Sequence, residues 1–313
     1  MSTAEVVTFG EAMISLRAES LIRLGCGFTS SMAGAESNVA VGLARLGHHV
    51  VWTGAAGQDE PGALIIRTLR AEGVDAHTRL DPARPTGLML LEHRLGTTSR
   101  VTYHRAGSAG GNLGWSDVEP HLQEGVRLLH FSGITPALGP RALEASLRAI
   151  DAARDRGIAI SLDINHRKML WSRETAAEVL APMALRVDHL IASDAELQLL
   201  GGGSEDENTE IALSAGVGHV VVKRGAAGVT VVAPGERLDV AARSVAVVDT
   251  IGAGDAFTAG YLSAVLEGNT LRERAQRGVD VAAFAVASTG DWEGLPTREE
   301  LALLHISEGE TLR

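Results

Sequence analysis

The residues best placed to do chemistry lie in Val247-Val248-Asp249-Thr250-Ile251-Gly252-Ala253-Gly254-Asp255-Ala256-Phe257. Two glycines stand where an extended run gives way to a helical pattern that continues through Tyr261, Leu262 and Val265. At a helix start the unpaired N–H groups and the positive end of the helix dipole converge, and glycine lets the backbone approach a ligand closely, so such a junction stabilises an anion. Asp255 falls in the first turn beside that pocket, where the dipole is expected to keep its carboxylate ionised near neutral pH. A carboxylate repels a phosphate that is merely bound. It is useful where it takes a proton from a hydroxyl that attacks the phosphorus. Two other readings use the same residues: an ordinary tight turn opening a helix, and a dinucleotide site, which Phe257 in place of the third glycine of G-x-G-x-x-G argues against.

The elements that must position this junction follow from hydrophobic patterning. Short β-branched runs at 6–9, 50–54, 128–132, 158–163, 189–192, 220–223 and 229–232 alternate with amphipathic helical segments, the βαβ pattern of an α/β fold with a mostly parallel central sheet flanked by helices. Residues 36–46 closed by Gly47 and 61–72 closed by Gly73 read as helices. A third opens at Pro140, carries Leu143, Leu147 and Ile150 on one face and stops at Gly157. Two stretches break the rhythm, 12–32 and 86–105, and read as a small separate β-sheet forming a lid. The second is a hairpin of 87–93 and 99–105 around Leu95-Gly96-Thr97. Along its second strand Val101, Tyr103 and Arg105 share a face, and a Tyr beside an Arg can grip a polar ligand; an edge strand guarded by Arg would look the same. Gly201-Gly202-Gly203-Ser204 with Glu205, Asp206 and Glu207 reads as a solvated loop, and the polar run after Leu304 as a frayed tail.

Composition narrows the function further. The chain has 313 residues, 28 Lys+Arg against 39 Asp+Glu and a net charge of −11, which opposes a nucleic-acid partner. Its single cysteine, Cys26, excludes a disulfide framework and suits a reducing compartment. No apolar run approaches the ~18 residues of a membrane span, and Glu5 interrupts the N-terminus before a secretory apolar segment could form, so a cytoplasmic location is expected. Only Lys168 and Lys223 are lysines, and neither is followed by Ser or Thr, which excludes a Walker-type P-loop. The 36 glycines exceed the roughly 7% of an average protein and imply many positions of positive φ or close backbone approach.

The segment 249–257 resembles the C-terminal signature of the ribokinase-like (PfkB) carbohydrate kinases, and Ala33-Gly34-Ala35-Glu36-Ser37-Asn38 followed by Leu43-Ala44-Arg45-Leu46-Gly47 resembles their N-terminal one. Ala33 stands where that family usually has Gly. The resemblance implies one kinase domain over residues 1–313, with ATP and Mg²⁺ as cofactors and a monovalent cation as an open addition. It implies transfer of the γ-phosphate of ATP to a sugar hydroxyl, with Asp255 as base and the amides of Ile251, Gly252, Ala253, Gly254 and Asp255 as anion hole. Ser193-Asp194-Ala195-Glu196 corresponds to the family's Asn-x-x-Glu element, so Glu196 is implied to organise Mg²⁺ through water although Ser193 replaces Asn. Lys223-Arg224-Gly225-Ala226-Ala227-Gly228 is similar to the family's nucleotide loop and implies contacts to ATP from Lys223, Gly225 and Gly228; a plain hairpin turn is the alternative.

Within the family a closer likeness is to the 2-keto-3-deoxygluconate kinases. It is carried by 103–110, 132–138, Ser161-Leu162-Asp163-Ile164-Asn165-His166-Arg167 and Gly290-Asp291-Trp292-Glu293-Gly294. It implies Arg167 and Arg105 at the acid end of the substrate, Tyr103 at its keto or hydroxyl groups, and Gly34, Asn38 and Asp291 along its body. An Arg fork binds a carboxylate with a gain of roughly 1.5–3 kcal/mol. Arg167 follows a parallel strand at its carboxyl end, where ligands of open α/β sheets sit, and Asp163, Asn165 and Arg167 share one side if the extended run continues. Met89 and His166 depart from the pattern, each standing where Tyr is expected; a fructokinase or other hexose kinase is the alternative. The partners implied are a small sugar or sugar acid and ATP, with no nucleic acid, no membrane, and a second copy of the chain pairing through the lid.

Overall fold

The computed structural model describes residues 4–95 and 98–305. Gly96 and Thr97 of the expected hairpin turn, and the polar tail from residue 306, lie outside the described residues. Strands along the chain are β1 (Val6–Phe9), β2 (Met13–Ala18), β3 (Phe28–Ala33), β4 (Val50–Gly57), β5 (Asp75–Asp81), β6 (Leu88–Leu95), β7 (Thr98–His104), β8 (Leu128–Ser132), β9 (Ala159–Asp163), β10 (His189–Ser193), β11 (His219–Lys223), β12 (Val229–Ala233) and β13 (Glu236–Val240). Nine of them form one sheet in the order β13-β12-β11-β10-β9-β8-β1-β4-β5. It is parallel from β5 through β11 and antiparallel at β11-β12 and β12-β13.

Buried strands show why this sheet is covered on both sides. In β11, Val220 and Val222 pack with the core on one face and Val221 with the core on the other; in β10, Leu190 and Ala192 oppose Ile191 in the same way. The first core holds residues of the helices Ala35–Arg45, Ala253–Leu266 and Leu271–Val286, and the second those of Pro140–Asp155 and Arg173–Ala184. The expected α/β architecture is therefore present. β5 and β13 were not anticipated, because edge strands alternate polar residues with few buried ones and carry little apolar signal.

The remaining four strands form the separate small sheet, in the order β3-β2-β6-β7, with β2-β6 parallel and the other pairs antiparallel. Met13, Ala33 and Met89, with Val101 against them, make its own small apolar cluster.

Three expectations are corrected. The helix Pro140–Asp155 packs through Ala142, Ala145, Ser146, Ala149, Ile150 and Ala153, whereas Leu147 is 39% exposed. The small side chains let the helix sit close to the sheet, which rotates the bulkier Leu147 outward. The acidic run after Ser204 is the first turn of the helix Glu205–Ser214, opened by a Ser204/Glu207 capping box rather than left as a loop. Extended geometry ends at Asp163: Asn165 has φ 39°, so Asp163, Asn165 and Arg167 do not alternate along one strand face.

Truncation of Ile150 to Ala should lower the unfolding free energy by about 3 kcal/mol, and that of Leu147 to Ala by less than ~1 kcal/mol, in urea denaturation. Equal losses would contradict the helix orientation.

Candidate active site

The carboxyl ends of the central parallel strands and the inner face of the small sheet enclose a cavity of about 410 Å³. Of the residues singled out from the sequence, Gly34, Asn38, Tyr103, Arg105, Arg167, Ser193, Glu196, Lys223, Ile251, Gly252, Gly254, Asp255 and Asp291 line it. Ala253, Gly225 and Gly228 do not.

Asp255 sits at the start of the helix Ala253–Leu266, whose N-cap, Gly252, takes the left-handed conformation at φ 75°. A Cβ there would lie 2.0 Å from the carbonyl oxygen of Asp291, so only glycine fits. The helical ladder begins with Ala256 N–H donating to Gly252 O at 2.8 Å. Ile251 N–H donates to Asp249 Oδ1 at 3.1 Å and Ala253 N–H reaches Thr250 O at 3.4 Å. The amides of Gly252, Gly254 and Asp255 have no hydrogen-bond partner among the described residues. Of the five amides expected to hold an anion, those of Ile251 and Ala253 are therefore turned back into the loop, and three remain available.

The carboxylate of Asp255 accepts a hydrogen bond from Asn38 Nδ2 at 2.8 Å. Asn38 is placed by the helix Ala35–Arg45, which is pinned at its start where Ser132 Oγ and Thr135 Oγ1 each donate to Glu36 Oε1 at 2.7 Å. Burial pushes Asp255 up to about 6; Asn38, Arg167 and Lys223 pull it down, and the Asp163 carboxylate adds to the rise. Loss of water around the carboxylate thus outweighs the helix start, yet a group at about 6 is still mostly ionised near neutral pH, as expected. Burial, with the Glu293 and Asp255 carboxylates, pushes Asp291 up to about 7 against the pull of Arg17.

Several charges in the site come in pairs. Lys223 Nζ lies 2.5 Å from Asp163 Oδ2, and although burial opposes its charge, Asp163 and Glu196 hold its pKa above the usual lysine value. The lysine therefore points into the cavity, while Gly225 and Gly228 form the turn of the β11-β12 hairpin. Gly228 is required for a local reason, as a Cβ there would meet Val240 O at 2.0 Å. Glu196 accepts from Ser193 N–H at 2.8 Å and from His166 N–H at 2.8 Å, so Ser193 serves as cap of the short helix Asp194–Leu197. Arg105 donates from Nε to Glu11 Oε2 at 2.7 Å and lies over the Tyr103 ring at 5.6 Å. Ser108 Oγ donates to the other oxygen of Glu11 at 2.5 Å.

Arg167 differs. Its side chain makes no hydrogen bond or ion pair among the described residues, and it lines both this cavity and an adjoining one of about 570 Å³ that also carries Arg84, Arg105 and Lys168 but no acidic residue.

Sequence reasoning missed Glu11, Arg17 and the inward turn of Lys223. Glu11 immediately follows the β1 run and Gly10, with no local pattern to mark it, and Arg17 reads as an ordinary polar strand position. The acid partner that the isolated Arg105 required was the one available signal.

Comparison with known proteins bears on the chemistry. The profile of the pfkB family carbohydrate kinases matches residues 3–298. The chain is 35% identical over 305 residues to the 2-dehydro-3-deoxygluconokinase of Bacillus subtilis strain 168, covering 95% of this chain and 94% of that one. It is 33% identical over 309 residues to a fructokinase of Escherichia coli, covering 96% and 98%. Among solved structures, a fructokinase of Vibrio cholerae O395 with fructose, ADP and calcium ion bound has a TM-score of 0.86 at 28% identity, covering 97% of this chain and 99% of that one. The match extends from before β1 to beyond Asp291, the last residue of the cavity in chain order, and the chain belongs to the pfkB family of carbohydrate kinases, enzymes that use ATP to phosphorylate a sugar hydroxyl.

Proposed function

We propose that this kinase phosphorylates the terminal hydroxyl of 2-keto-3-deoxygluconate, the 2-dehydro acid for which its Bacillus relative is named. The observation that carries this reading is Arg167. In a protein of net charge −11, a guanidinium without an ion-pair partner among the described residues, beside a cavity whose charged lining residues are all basic, suits a substrate that brings its own carboxylate. Arg105, paired with Glu11, shares the cavity with Arg167 at the acid end, Tyr103 serves the keto or hydroxyl groups, and Gly34, Asn38 and Asp291 lie along the substrate's body. Met89, on β6 of the small sheet, packs in that sheet's apolar cluster and offers no hydroxyl, which favours a fructokinase as the second reading.

Asp255, aligned by Asn38, takes the proton of the attacking hydroxyl. The free amides of Gly252, Gly254 and Asp255 stabilise the charge developing on the transferred phosphoryl group. Ser193, Lys223 and Ile251 line the same cavity and face the nucleotide, and Gly225 and Gly228 hold the hairpin turn that aims Lys223. Asp163 has a buried oxygen, Oδ1, without a partner, and Glu196 lies near enough to Lys223 to raise its pKa, so the site suits a hydrated divalent cation. Magnesium, bound with the phosphates and reached from Glu196 through water, would neutralise phosphate charge there. The four-stranded sheet acts as a lid that excludes water from the transfer. No helix among the described residues is long and apolar enough to cross a membrane, and we place the enzyme in the cytoplasm as a homo-oligomer paired through the lid, for solution scattering to test.

A coupled ADP assay over keto acids, ketoses, pentoses and nucleosides should give the highest kcat/KM with 2-keto-3-deoxygluconate; preference for fructose would overturn the assignment. Asp255→Asn should lower kcat by about 10³-fold with the protein folded. Arg167→Gln should raise KM for the keto acid by about 10–100-fold while leaving that for neutral ketoses within ~3-fold.

A base must be ionised, so kcat/KM should fall as the pH drops through the range from about 7 to about 6 in which the coupled Asp291 and Asp255 take up protons. Arg167→Gln removes a cation that holds the pKa of Asp255 down, so this acid limb should move to higher pH.

A further inference from the structure

The small sheet meets the anion loop through one buried charge contact. Arg17, on β2, places Nη1 2.7 Å from Asp249 Oδ2, with the two side chains 15% and 2% exposed. The other oxygen of Asp249 accepts the N–H of Ile251 at 3.1 Å. One carboxylate therefore has the small sheet on one side and the backbone that leads into Gly252 on the other.

The same guanidinium has a second reach. Its Nη2 lies 3.9 Å from Asp291 Oδ1, and the carbonyl of Asp291 is the group that presses against Gly252. Arg17 thus touches both segments that shape the loop. It is steadied from β6, where His93 Nε2 lies 2.7 Å from Nη1 while the opposite ring nitrogen lies 2.9 Å from Ser99 Oγ. Asp249, Asp255 and Asp291 surround a loop that is to receive phosphate, and a single cation between two of them offsets charge that would otherwise repel it. A planar fork can face two carboxylates and an imidazole at once, which a lysine ammonium cannot do in the same plane.

We propose that Arg17 is a positioning residue that sets the anion loop through Asp249, so that the free amides of Gly252, Gly254 and Asp255 are aligned for phosphoryl transfer when the small sheet is seated. This rests on the reading of that loop as the phosphate site and not on the identity of the sugar.

The test compares the full-length wild type with R17Q, R17K, D249N and the double variant, each with the sugar that the wild type turns over fastest. R17Q should lower kcat about 10–100-fold with KM for the sugar within ~3-fold, and R17K should recover part of the loss. D249N should cost a similar factor, with the double variant losing no more than the worse single one. Amide hydrogen exchange of residues 249–255 should quicken at least ~10-fold in R17Q while β11 is unchanged, a readout that needs no turnover. If R17Q does not fold, R17K carries the test through a smaller kcat loss at constant KM and faster exchange confined to 249–255. An unchanged kcat, a loss confined to KM, or unchanged exchange would overturn the proposal. A wild type inactive on every sugar tried would count against the proposed substrate, and the exchange result would still decide on Arg17.

Discussion

Everything in this molecule depends on holding a phosphate beside a carboxylate in a protein that is itself strongly acidic. The arrangement at residues 252–255 solves this locally. Three amides at the helix start have no hydrogen-bond partner among the described residues, and the carboxylate of Asp255 is buried enough to be a better proton acceptor than an exposed aspartate. Neither feature works alone: free amides without a base would only bind an anion, and a buried aspartate without them would repel the group it is meant to assist.

The surrounding charges follow from that constraint. Several acids in and beside the cavity are matched by a base brought from a distant part of the chain, Glu11 by Arg105, Asp163 by Lys223 and Asp249 by Arg17, while Asp255, Glu36 and Glu196 are held by neutral hydrogen-bond donors. Pairing keeps buried carboxylates from accumulating uncompensated charge, which would cost several kcal/mol each. It also gives meaning to the exception. Arg167 stays available at the junction of two cavities because no such carboxylate reaches it.

Much of this was legible in the sequence, for identifiable reasons. The anion loop could be read because glycine spacing and a helix start are local properties, and the parallel sheet because buried strands announce themselves as β-branched runs. The small sheet was recognised by the absence of helices between its strands. What could not be read depends on the chain meeting itself. Nothing near Glu11 signals that Arg105, 94 positions later, will pair with it, and nothing near Lys223 signals Asp163. The upward shift of Asp255 was not legible, because a sequence shows the neighbouring helix turn but not the packing that removes water. The close approach of Gly228 to Val240, which excludes a Cβ there, was equally out of reach, since Val240 lies on the far side of a hairpin.

The contact between Gly252 and the Asp291 carbonyl has a consequence for how such an enzyme can change. Asp291 and Gly252 line the same cavity, the first proposed to meet the sugar and the second to shape the phosphate loop, and a Cβ on Gly252 would have no room beside the Asp291 carbonyl. Acceptor choice and phosphate geometry are therefore joined mechanically, and remodelling residues 290–294 to admit a new sugar disturbs the catalytic loop at the same time. New acceptor preferences are more accessible from the wall that carries Met89 and Arg167, where a side chain can be exchanged without altering the backbone contact between Gly252 and Asp291. Divergence of acceptor preference within this scaffold is expected to run along that wall.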